Sequence, residues 1–177
     1  MNIRTKIPNL ETVMAVYSII TAMLYFPAFL HYLWKLPSWL LFSSFSDLSI
    51  IYFYMVTVNF IESILVLMMI LAFSIVLPAR WFRDRFVSKG VMLTVFLLGF
   101  LIYLGRYMWP ETLFPWGVVR LSPLIFAAIV AIVFILDEIP FLRKLLEEIA
   151  NRFTIFLYIL IPISILSAVI VLFRNLF

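Results

Sequence analysis

The chain has 177 residues, 66% hydrophobic and 12% charged, with a mean hydropathy of +1.18. A soluble domain carries about twice that charged share and leaves much of its surface in water. A water-soluble fold is therefore excluded, and the chain reads as an all-α integral membrane protein, one membrane domain over 1–177. The net charge of +4 is assigned to topology rather than to nucleic acid, because basic residues collect in cytoplasmic loops.

Five apolar segments reach the roughly 20 residues that a membrane-crossing helix needs. In chain order they are 11–34, 49–77, 90–109, 117–136 and 153–173. Arg4 and Lys6 precede the first run as in a signal peptide, but the run is too long for one and no small-x-small site follows it. It is read as a retained span. The second is long enough to require tilt or projection beyond the hydrocarbon. All five are expected to be helices, since a lone apolar segment in lipid must satisfy its own backbone hydrogen bonds. Barrel strands would be shorter and would alternate polar with apolar residues. Pro27 and Pro162 lie inside the first and fifth spans and are expected to kink them.

Orientation follows from the basic residues. With the N-terminus inside, nine of the 13 Lys and Arg fall on the inner side: Arg4, Lys6, Arg80, Arg83, Arg85, Lys89, Arg143, Lys144 and Arg152. The sequence thus predicts N-inside and C-outside. The loop between spans four and five differs from the others. Pro140 suits a first helical turn, with Asp137 and Glu138 near its positive end. Phe141, Leu142, Leu145, Leu146 and Ile149 form one apolar stripe. A short amphipathic helix over 139–151, lying on the cytoplasmic surface, is predicted. It serves as a connector or as a docking surface.

Ionisable residues inside a span are costly and mark sites or pathways. Glu62 is near the middle of span two, with Asn59 three residues earlier and assigned to the same face. Counted from the inner ends of their predicted helices, Glu62, Arg106 and Arg120 lie at 15 or 16 residues, about 22–24 Å deep. His31 lies closer to the outer surface. Two readings stand side by side. In one, Glu62, Asn59, Arg106, Arg120 and His31 frame an outward-opening polar pocket for an anionic lipid or a quinone head. In the other, the arginines snorkel to the headgroups within an aromatic belt of Tyr103, Tyr107, Trp109 and Trp116. Glu62 then makes a structural pair, Asn59 acts as interhelical glue, and His31 is interfacial.

Catalytic and metal signatures are missing from the sequence. It has no cysteine, one histidine and four glycines, so thiolate sites, clusters of internal histidines and a Gly-rich phosphate loop are excluded. No catalytic residue, metal ligand or cofactor is assigned. In "HYLWKLPS", Lys35 near Ser38 reads as a headgroup anchor followed by a turn rather than as a Ser–Lys pair. There is no internal repeat.

The stretch "LIYLGRY" resembles a family of uncharacterised bacterial multi-pass membrane proteins that carries Tyr-Leu-Gly-Arg-aromatic at the outer end of a span. The matching residues are Tyr103, Leu104, Gly105, Arg106 and Tyr107. Asp47, after the aromatic "FSSFS", is similar to an aspartate opening a long helix in that family. The polar Arg-Trp-Asn-Ser-Trp continuation is replaced by "MWPETLFPW". The resemblance implies a multi-helix membrane fold and an outward-facing Arg106, and no function.

Two functions are expected. The first is a non-catalytic subunit or assembly factor of a complex in the cell membrane, motivated by small size, missing catalytic signatures and nineteen Phe for broad contact surfaces. Its partners would be the bilayer and either other proteins or further copies of itself, through transmembrane helices. The alternative is a small-molecule or lipid-handling transporter or membrane enzyme built on the Glu/Arg pocket.

Overall fold

The structure, a computed structural model, describes residues 8–78, 82–105 and 116–176. It contains five helices: α1 (Leu10–Trp39), α2 (Phe45–Val76), α3 (Phe86–Tyr103), α4 (Trp116–Asp137) and α5 (Pro140–Leu176). All five are long and apolar enough to cross a membrane, and no strand occurs among the described residues.

Helix starts lie earlier than hydrophobicity alone predicts, and polar residues are the reason. α2 begins at Phe45 because Ser44 and Asp47 form a capping box. The Asp47 amide donates to Ser44 Oγ at 3.2 Å, and the Ser44 amide donates to Asp47 Oδ2 at 3.1 Å. Two donors that the first turn would leave unpaired are thus satisfied. α3 begins at Phe86, four residues before the predicted start, after a 3-10 turn over Arg83–Arg85. Its first turn carries Ser88 and Lys89 into the interior. α1 continues through Pro27 and Pro37 to Trp39, so the turn expected around Ser38 is helical.

The largest departure is at α5. The amphipathic segment 139–151 is not a separate surface helix. It is the first third of a 37-residue helix, about 55 Å long, that runs on through the fifth span and Pro162. No Gly or Pro lies between Phe141 and Ile161 to break it, and an Arg152–Glu148 ion pair one turn apart bridges the expected junction. The predicted apolar stripe divides in two. Leu142 and Leu146 pack on the core beside buried Ala150, whereas Phe141, Leu145 and Ile149 are exposed.

α1 is the central helix. It packs against α2, α3 and α5, while α4 sits at the edge against α3 and, more lightly, α5. Seven consecutive residues of α1, Ala15 to Thr21, are buried, as expected of a helix surrounded on all sides. One core cluster draws on all five helices, including Val16, Ile20, Ile70, Val91, Val133 and Ala150. Hydroxyl groups tie the helices along this axis. Tyr17 bonds Ser63 at 3.0 Å, Ser18 donates to the Ala150 carbonyl at 3.0 Å, and Tyr25 bonds Ser164 at 2.6 Å. Further along, Tyr32 donates to the Leu48 carbonyl at 3.1 Å.

α1 and α3 approach each other closely at Gly90. A Cβ there would stand 3.0 and 3.2 Å from the two methyl groups of Val16, itself fully buried. Glycine is needed for this approach, not for backbone conformation. Replacing Gly90 with leucine is expected to cost about 1–3 kcal/mol by overpacking, read as a lower thermal midpoint in detergent. The same change at Gly99, where nothing lies within 4 Å of the added atom, is expected to have little effect.

Candidate functional site

The residues nominated from sequence do not assemble as expected. Asn59 is 7% exposed and its Nδ2 donates to the Met55 carbonyl at 2.7 Å. Glu62 lies on the outside of α2, between Ile61 and Leu65, which are 53% and 60% exposed. The assignment of the two to one face is corrected by the register of α2. Its inward stripe is Val56, Asn59, Ser63, Ile70 and Ser74, and Glu62 sits about 100° around the helix from Ser63. Arg120, in the second turn of α4, is exposed. His31 is exposed beside Trp34, with ring centroids 6.1 Å apart. No hydrogen bond or ion pair joins any two of Glu62, Asn59, Arg120 and His31. Arg106 lies outside the described residues. The Lys35–Ser38 pair is also resolved: Ser38 Oγ donates to the Lys35 carbonyl at 2.8 Å, and Lys35 Nζ stands 5.1 Å over the Trp34 ring.

The principal buried ionic constellation is one the sequence reading missed. Asp137, the last residue of α4, is completely buried. Its carboxylate accepts from Arg85 Nη1 at 3.1 Å, pairs with Lys89 Nζ at 3.5 Å and accepts a bond from Ser88 Oγ. Lys89 is 4% exposed and its ammonium also lies 4.4 Å from the centroid of the Phe134 ring. Arg85 leads outward and binds Glu138 at 3.0 Å. A carboxylate at a helix C-terminus opposes the helix dipole, and burial adds a desolvation penalty of several kcal/mol. Two cations and a hydroxyl offset both.

A sequence signal for this cluster existed. Arg85, Ser88 and Lys89 are spaced to share one face of a helical turn. In an antiparallel hairpin the start of α3 meets the end of α4, where Asp137 and Glu138 stand. The sequence reading used these acids only as helix-start residues for the following segment. Among the described residues the cluster sets two cations against two carboxylates, so it ties helices together. Beside it, a cleft of about 540 Å³ opens between the start of α1, the 83–87 turn and α5. Glu11, Asp84 and Glu147 line it together with Arg83 and Arg85, a mixed set that favours neither anion nor cation. Among the described residues no cluster of His, Asp and Glu is placed to hold a metal ion.

Removing one partner of a buried pair strands the other. Asp137→Ala or Lys89→Ala is expected to lose about 3–5 kcal/mol of stability, whereas the joint change Asp137→Leu with Lys89→Met should recover most of it. Reversible unfolding in mixed micelles checks this. A double variant that loses the sum of the two single changes would mean that the pair is not coupled.

No family model, curated protein or solved structure matches the chain, and the resemblance rests on Tyr103, Leu104, Gly105, Arg106, Tyr107 and Asp47 alone.

Proposed function

We propose that this chain is a non-catalytic subunit or accessory factor of a complex in the cell membrane, inserted through five spans with its N-terminus inside and its C-terminus outside. The observation that carries the reading is the outward position of Glu62. An ionisable side chain within a membrane span almost always faces a bundle interior, a water-filled cavity or a pairing group. Glu62 faces outward among exposed Val58, Ile61, Leu65 and Met69. A surface of this kind is complete only when another helix covers it.

The polar interior fits the same reading. Apart from Ser74 Oγ, which has no partner, the described hydroxyls and amide bond to backbone carbonyls and to one another: Thr57 to Phe53, Asn59 to Met55, Ser164 to Leu160, Ser167 to Ile163. These groups hold helices together and leave little polar lining for a substrate path. The orientation is supported by Arg83, Arg85, Lys89, Arg143, Lys144 and Arg152, which gather at the starts of α3 and α5.

Two measurements test this. Because the chain contains no cysteine, single cysteines report topology cleanly. In intact cells Ser46→Cys should react with an impermeant maleimide, while Asp84→Cys should react only after permeabilisation. The reverse pattern overturns the orientation. Native mass spectrometry of protein extracted from its own membrane should retain a stoichiometric protein partner. A stable monomer without one would remove the subunit reading.

A further inference from the structure

The charged residues of the described chain fall near helix ends, with one exception. Lys35 is close to the end of α1, Arg83 to Lys89 at the start of α3, and Arg120 in the second turn of α4. Arg143 to Arg152 occupy the first third of α5, and Arg174 its last turn. Glu62 alone stands at mid-helix, with 17 residues of α2 before it and 14 after. At 1.5 Å per residue it is about 20 Å or more from either end.

Its surroundings offer it nothing. The neighbouring polar groups of α2 are turned inward and already bonded, Asn59 to the Met55 carbonyl and Ser63 to Tyr17. No described residue makes a hydrogen bond or ion pair with the Glu62 carboxyl. In an apolar medium an unpaired carboxyl is costly, whereas an opposite charge at contact is held far more strongly than in water. A second copy is a poor match. A two-fold arrangement about this face sets Glu62 against Glu62, and in a copy sharing the same orientation the exposed cation of similar depth among the described residues is Arg120, which lies on α4 rather than on this face.

We propose that Glu62 is the acceptor for a transmembrane helix of another protein that presents a lysine or arginine at mid-span, with Val58, Ile61, Leu65 and Met69 packing around the pair. This rests on the subunit reading and gives the partner its chemistry. The acid provides selection more than adhesion. Aliphatic surfaces meet indiscriminately in lipid, and a mid-span acid admits only a helix with a matching base.

The test uses the full chain in phosphatidylcholine nanodiscs with synthetic leucine-rich single-span peptides carrying lysine, leucine or glutamate at the centre. By energy transfer, the lysine peptide should associate roughly tenfold more tightly than the leucine peptide. Glu62→Leu should abolish the difference, and Glu62→Lys should transfer the preference to the glutamate peptide. Unchanged thermal midpoints for both variants establish that the fold is intact, as expected for a residue facing outward. Equal binding of the lysine and leucine peptides, or a lysine preference that survives Glu62→Leu, overturns the proposal. So does wild-type self-association lost in Glu62→Leu, which would make a second copy the occupant. A native partner retained equally by wild type and Glu62→Leu would overturn this pairing while leaving the subunit reading in place.

Discussion

In an apolar medium the hydrophobic effect does not tell one face of an apolar helix from another, so packing must be directed by something else. Here small and hydroxyl-bearing residues direct it. The buried stripe of α2 contains Asn59, Ser63 and Ser74, and that of α5 contains Ala150, Ser164 and Ser167. Large aliphatic and aromatic side chains such as Leu65, Met68, Ile155 and Tyr158 are on the outside. Small groups allow close approach, as Gly90 allows Val16, and hydroxyls exchange bonds between helices. The central position of α1 follows, because Tyr17, Ser18 and Tyr25 give it partners on both α2 and α5.

The Asp137 cluster solves a separate problem. α4 buries only Ile129, Val133 and Asp137, so its apolar contacts leave its register weakly specified. Sliding it by one turn, about 5.4 Å, would strand Asp137 away from Lys89, Ser88 and Arg85. The ionic pair therefore sets alignment more than it adds stability, since a well-packed apolar replacement would serve nearly as well energetically. Continuity into α5 carries that alignment onward, because Asp137 is three residues before Pro140 opens the longest helix.

Asp137 and Glu62 are the same chemistry in opposite circumstances. One is buried and met by two cations. The other is outward and met by none among the described residues. The first is explained entirely within the chain. The second is the observation on which the proposed subunit role rests. The exposed stripe of Phe141, Leu145 and Ile149 at the start of α5 adds apolar surface at one end of the same bundle.

Composition and the length of the apolar runs determined that this chain forms five helices able to cross a membrane, because backbone hydrogen bonding in lipid leaves a lone segment few alternatives. Helix starts depart from the apolar runs where a polar residue extends a helix, as Ser44 and Asp47 do for α2, and the expected end of the third span at 109 lies outside the described residues. Facing was not legible. Asn59 and Glu62, three residues apart, are assigned to one face by helical spacing, yet the packed bundle buries one and exposes the other, because Ser63 and its bond to Tyr17 set the rotation of α2. The continuity of α5 likewise escaped a reading by hydrophobicity, which sees a charged segment and an apolar one where the backbone sees no breaker. Which charges meet was decided by the tertiary structure alone: Asp137 reaches Lys89 across 48 positions of chain only because α3 and α4 return antiparallel.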